Sequence, residues 1–168
     1  SVSRGLGDVY KRQPWTMPGN RAVAYGKDID YSLIEVTTVG ENSLSKIGDK
    51  IIIAKELVED VMKEISVLSF NSSNTLKGSD FAGTVLAHPL NNNGYEHEVL
   101  LLEADFVTTD QGTGFVHIAP GHGADDFELG RQNNLPIPET VSDNGILNSD
   151  LPLLGGLRVL KDLSLIHI

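Results

Sequence analysis

From residue 20 onward, apolar positions recur in short alternating runs closed by glycine, asparagine or proline, the pattern of a β-rich chain. Residues 22–25 and 31–37 are rich in β-branched or aromatic side chains and are separated by Gly26, Lys27 and Asp28, so they read as two antiparallel strands. Residues 50–54 hold three consecutive isoleucines, which a strand would bury on both faces. There the period changes. Ala54, Leu57, Val58, Val61, Met62 and Ile65 fall at offsets 0, 3, 4, 7, 8 and 11, one continuous helical stripe, with Glu59 and Lys63 spaced for an i,i+4 pair opposite. Residues 66–70 resume a strand, and Asn71, Ser72, Ser73 and Asn74 read as a turn.

Residues 76–89 carry Gly78 and Gly83, the mark of a strand that bends at a barrel corner, and residues 84–88 complete it. Asn91, Asn92, Asn93 and Gly94 form a loop, with residues 97–102 as the partner strand. Pro136 and Pro138 stop any helix that reaches Leu135, residues 142–145 make another turn, and residues 151–160 start an element that is cut short. Many short strands with two helical passages indicate a β-rich α+β domain, a small β-barrel-like core with peripheral helices.

A chain of 168 residues can bury one good core and reads as one domain or a piece of one. Lys and Arg number 13 against 23 Asp and Glu, a net charge of −10. That excludes a non-specific nucleic-acid binder, whose affinity rests on clustered cations, but not a module that touches only the tip of an RNA presented by another domain. Without cysteine there is no disulfide, thiolate metal site or thiol nucleophile. No apolar run approaches the roughly 18 residues a membrane helix needs, and no apolar signal core opens the chain, so a cytoplasmic protein with no membrane contact is expected.

The chemistry gathers in residues 112–127, GTGFVHIAPGHGADDF. Gly112 and Gly114 flank Thr113 and let the backbone approach a ligand closely. Along residues 115–119, Val116 and Ile118 share one face and Phe115, His117 and Ala119 the other; the aliphatic pair suits a core, which aims His117 away from it. Pro120, Gly121 and Gly123 break the strand. Residues 124–132 then wind as a short helix with Asp125 and Asp126 in the first turn, where the helix dipole favours carboxylates. A strand histidine and paired aspartates opening a helix also have ordinary structural uses. His122, set between two glycines, has no evident one. His88 and His97 flank the Asn-Gly loop and read as surface residues without the spacing of metal ligands.

Residues 112–127, together with Pro14, Trp15, Thr16, Met17, Pro18, Gly19, Asn20, Arg21 and Ala22, resemble the editing domain of isoleucyl-tRNA synthetase, with both motifs in the family's order. The valyl and leucyl relatives share the GTG and the later aspartate, but typically carry lysine or methionine at the place of His117 and lack Pro-Trp-Thr. The resemblance covers most of residues 14–161 and implies a β-rich domain inserted into the catalytic domain of a class I synthetase. It implies hydrolysis of mischarged valyl-tRNA for isoleucine, in a parent enzyme that attaches isoleucine to its tRNA using ATP. The synthetic signatures His-x-Gly-His and Lys-Met-Ser-Lys-Ser do not occur here. ATP and Mg therefore belong to an absent synthetic domain, and no cofactor or metal to this one.

By the same resemblance Thr16, Asn20, His117 and Asp126 are catalytic, and Trp15, Gly114, Phe115 and Val116 join them in binding substrate. Asp126 is expected to hold the substrate's α-ammonium, and His117 to wall off the larger isoleucine without acting as general base. Expected partners are the 3′ end of aminoacylated isoleucine tRNA and the rest of the synthetase in cis, in a monomer. The family places a run of threonines before Pro-Trp-Thr, where this chain has Lys11, Arg12 and Gln13. The pocket is accordingly expected to be incomplete, and residues 1–13 and 162–168 read as a non-native leader and tail. Two other readings stay open from residue chemistry: a metal-dependent hydrolase using His117, His122, Asp125 and Asp126, and a non-catalytic RNA-docking module.

Overall fold

The computed structural model describes residues 14–159. The expected leader, tail and replaced threonine run lie outside the described residues. Two compact units make up the remainder, one from residues 14–23, 85–100 and 117–159, the other from residues 24–84 and 101–116. The strands are β1 (Ala22–Tyr25), β2 (Asp30–Val39), β3 (Lys50–Ala54), β4 (Val67–Lys77), β5 (Val85–Ala87), β6 (Glu98–Glu103) and β7 (Phe115–Ile118). The α-helices are α1 (Val58–Glu64) and α2 (Ala124–Gln132). The described strands form two open sheets, ordered β5-β6-β1-β7 and β3-β2-β4, so the expected β-rich architecture is present without a closed barrel.

β1 and β2 are not hairpin partners. β1 lies between β6 and β7, and β2 between β3 and β4. Turn chemistry at residues 26–28 bends the chain but cannot choose the partner. The ten-residue β2 pairs with β4 from Asp30↔Lys77 to Val39↔Val67, far more ladder than a four-residue β1 could supply. That ladder also overrides the turn expected at residues 71–74, which lie inside β4. The register jumps from Ser32↔Thr75 to Leu33↔Ser73, so Asn74 is the extra residue of a bulge, and its φ of 36° marks the local bend.

β3 keeps its expected bounds but is an edge strand. Ile53 is fully buried whereas Ile52 is 37% exposed, so the isoleucine run is not covered on both faces. The helical stripe after it begins as a 3-10 turn over Lys55–Leu57 before α1, and it buries Leu57, Val58, Val61 and Met62 as the spacing requires. Tyr31, Phe81 and Phe115 pack together, with Tyr31 centroids 5.1 Å from Phe81 and 4.7 Å from Phe115. The Tyr31 hydroxyl accepts from Gly26 N–H at 3.1 Å and donates to Gly114 O at 2.8 Å. The face of β7 that carries Phe115 is thus also packed, which the alternation alone did not indicate.

β5 and β6 pair antiparallel as expected, Val85↔Leu100 to Ala87↔Glu98, on either side of the Asn91–Asn93 turn. Gly94, at φ +90°, closes that turn in a conformation open to glycine. The 142–145 turn forms with Val141 bridged to Leu147. Residues 151–156 make successive turns and no regular element, and Leu160 lies outside the described residues.

Candidate functional site

The loop Pro14–Gly19 is a six-residue 3-10 turn containing Pro18. Asn20 N–H donates to Met17 O at 3.0 Å, and Arg21 N–H to Ile118 O at 3.0 Å, so the loop's exit runs beside β7. This places the side chains of Thr16 and Asn20 on the two nitrogens of His117. Thr16 Oγ1 lies 3.2 Å from Nε2, and the Asn20 amide Nδ2 contacts Nδ1. Nδ2 also donates to Ala22 O at 3.3 Å, which orients the amide. An amide nitrogen only donates, so Nδ1 accepts and the ring proton sits on Nε2, donating to Thr16 Oγ1. Burial holds the His117 pKa below its ordinary value, opposed by the charge of Asp126 and by a hydrogen bond to the Thr16 backbone. His117 is thus a neutral imidazole of fixed tautomer, with both nitrogens engaged.

Asp126 is 2% exposed, and its Oδ2 accepts from Ala119 N–H at 2.9 Å. One carboxylate therefore ties the end of β7 to the first turn of α2, while Asp125 points to solvent. The helix begins after the extended Gly123 and ends with Asn134 at φ 54°, where Leu135 N–H returns to Gly130 O at 2.8 Å. Gly130 has a packing reason: a Cβ there would meet Pro120 at 2.8 Å. His122 proves to have a structural use that its glycine neighbours did not suggest. Its Nε2 lies 2.7 Å from the buried Thr140 hydroxyl, its N–H donates to Ala119 O, and burial lowers its pKa. With Gly121, Ile137, Pro138, Glu139, Thr140 and Val141 it lines an open cavity of about 200 Å³.

His88 and His97 are not surface residues. His88 is 2% exposed and stacks on Tyr95 with centroids 4.9 Å apart, and His97 is half-buried with Nε2 2.8 Å from Arg21 Nη1. Their flanking loop is polar, but His88 meets the carbonyl of Met17, and His97 meets Asn20 O and Arg21; nothing local in the sequence signals these contacts. Trp15 packs with Leu147 and Leu154 in an apolar cluster, which anchors the loop through its side chain. Thr16 and Asn20 thus each contact His117, and Asp126 acts on His117 through its charge. Gly114, Phe115 and Val116 belong to the other unit. Among the described residues, His117, His122, Asp125 and Asp126 do not form a group of three or more side chains able to hold a metal ion. Their nitrogens face Thr16, Asn20 and Thr140 instead, and Asp125 points away.

The family model described as "Leucyl-tRNA synthetase, editing domain" matches residues 41–151 of this sheet-rich chain, and the chain belongs to that family of aminoacyl-tRNA editing domains. Its curated relatives are more particular. It is 44% identical over 153 residues to the isoleucine–tRNA ligase of Gluconobacter oxydans (strain 621H), and 39% identical over 153 residues to that of Pelagibacter ubique (strain HTCC1062), in each case across 91% of this chain and 16% of the relative. The isoleucine–tRNA ligase of Vibrio vulnificus (strain YJ016) is 40% identical over 162 residues, 94% of this chain. The chain thus spans 16% of the length of these relatives.

Solved structures agree on the fold. The crystal structure of GlLeuRS-CP1 matches with a TM-score of 0.57 at 21% identity, over 72% of this chain and 41% of that one. The P. falciparum cytosolic leucyl-tRNA synthetase editing domain matches with a TM-score of 0.56 at 14% identity, over 73% and 45%. The expected resemblance therefore stands, and the metal-hydrolase and RNA-docking readings are not favoured.

Proposed function

We propose that this chain hydrolyses the ester of valyl-tRNA for isoleucine, as the editing part of an isoleucine–tRNA ligase. The observation that carries the reading is the Thr16–His117–Asn20 contact, with the Asp126 charge acting on the same ring, in a chain whose relatives are isoleucine–tRNA ligases. Water attacks the ester carbonyl carbon, the bond to the ribose oxygen breaks, and that oxygen leaves with a proton. His117 is not suited to take the proton from water, because Nδ1 already accepts from Asn20 and Nε2 already carries hydrogen. Its part is to present a rigid wall and to orient the ester and terminal ribose. A ring held at both nitrogens cannot swing aside for an extra methyl group. Asp126 supplies the negative charge that an α-ammonium requires.

On this reading no cofactor works in this domain, and ATP and Mg serve the synthetic part of the parent enzyme. The partners are the 3′ end of the charged tRNA and the rest of the synthetase in cis, in a cytoplasmic monomer. Among the described residues no helix is long and apolar enough to cross a membrane.

The test incubates the chain, and a version with threonines at positions 11–13, with valyl- and isoleucyl-tRNA for isoleucine. The threonine version is expected to release valine and spare isoleucine, and His117→Ala to release both. Failure of both versions to cleave valyl-tRNA would overturn the proposal, as would loss of cleavage on adding EDTA.

A further inference from the structure

Thr16 and Asn20 reach His117 only if the short loop between them keeps its shape, yet Pro18 removes one backbone donor from that loop. The loop is gripped through its carbonyls from below. His88 Nδ1 accepts from Leu90 N–H at 3.0 Å, so the proton of its neutral ring sits on Nε2, which donates to Met17 O at 3.0 Å. Met17 O also receives Asn20 N–H, and it is this carbonyl that closes the turn separating Thr16 from Asn20. The His88 ring is fixed by its stack on Tyr95, whose hydroxyl donates to Pro152 O at 2.8 Å. On the next carbonyls, Arg21 Nη1 donates to Asn20 O at 2.6 Å and to Pro18 O at 3.2 Å.

We infer that His88, seconded by Arg21, is a positioning residue for the Thr16–His117–Asn20 constellation: its Nε2–H fixes Met17 O, and through it the two side chains that hold His117 in one tautomer. The inference rests on the proposed editing role for its kinetic consequence only. A contact shell of this kind matters because small displacements at a reacting centre are costly, on the order of 100-fold in rate for about 1 Å.

Two substitutions divide the ring's functions. His88→Gln places an amide N–H near Nε2 and keeps the donor to Met17, whereas His88→Asn places an oxygen near Nδ1, keeps the acceptor for Leu90 and loses the donor. In the intact chain, labelled-imidazole NMR reads the tautomer of His117, and hydrolysis of valyl-tRNA for isoleucine is followed for the same variants in the version with threonines at positions 11–13. The Gln variant should keep the Nε2–H signature of His117. The Asn variant should lose it and fall roughly 10- to 100-fold in kcat, with KM little changed. Equal behaviour of the two variants, or an unaltered His117 signature in the Asn variant, would overturn the inference. Should the Asn variant not fold by circular dichroism, Arg21→Gln must perturb the same signature, and an unchanged spectrum there overturns it too. If neither the parent chain nor its threonine version cleaves valyl-tRNA for isoleucine, the functional proposal fails while the imidazole signature still decides the role of His88.

Discussion

The backbone N–H of Ala119 donates to the Asp126 carboxylate at 2.9 Å, joining the end of β7 to the start of α2 through a side chain that is 2% exposed. Asp126 therefore has a structural task besides the charge it offers a substrate. Asp126→Ala should destabilise the fold by about 1–3 kcal/mol, since it strands a buried donor. Asp126→Asn restores an acceptor and should recover most of that stability in urea unfolding, but not ester cleavage. Recovery of both would show that the charge is dispensable. Asp125→Ala, at an exposed position, should cost no more than about 0.3–1 kcal/mol.

Asn20 connects loop and strand through one amide, which contacts His117 Nδ1 and donates to Ala22 O. Asn20→Ala leaves the imidazole without its donor and frees the ring to exchange tautomers. A drop in kcat on the order of 10-fold or more is expected, with a stability loss of about 1–3 kcal/mol. Unchanged cleavage in a destabilised variant would assign Asn20 to the loop alone.

His88, His117 and His122 all sit below the ordinary histidine value of 6.5, in each case chiefly through burial. In the unfolded chain they protonate near that value, whereas the folded chain accepts protons only at lower pH. Between the two the unfolded state binds more protons, so stability is fully present above about pH 6.5 and is lost as pH falls toward the folded values. The urea midpoint should be lower at pH 5.5 than at pH 7.5, and His122→Gln, which retains a donor for Thr140, should make the decline shallower. A midpoint that does not change over that range would contradict this account.

Gly114 at φ +80° leaves no room for a side chain: a Cβ would press on Ala54 and lie 3.2 Å from the Tyr31 ring. Gly114→Ala combines a disfavoured backbone angle with overpacking and should cost about 2 kcal/mol or more. Tyr31→Phe, which removes the hydroxyl bonded to Gly26 N and Gly114 O, should cost about 1–3 kcal/mol. Thermal melting checks both, and a neutral Gly114→Ala would mean that the residues around Ala54 yield more readily than their packing indicates.

The bounds of β1, β3 and α2 were legible from the sequence, because they are set by neighbours: glycine and proline punctuation, a period of two, and paired aspartates opening a helix. Thr16, Asn20, His117 and Asp126 stood out through their motifs. What the tertiary structure decided is which of these groups meet. Thr16 and His117 are 101 positions apart, His88 and Met17 are 71, and His122 and Thr140 are 18. No local rule ranks such partners, nor chose β4 over β1 as the neighbour of β2. Local period and turn chemistry are properties of adjacent residues; burial, tautomer and hydrogen-bond partner are properties of segments brought together by the core, and they exist only once it has formed.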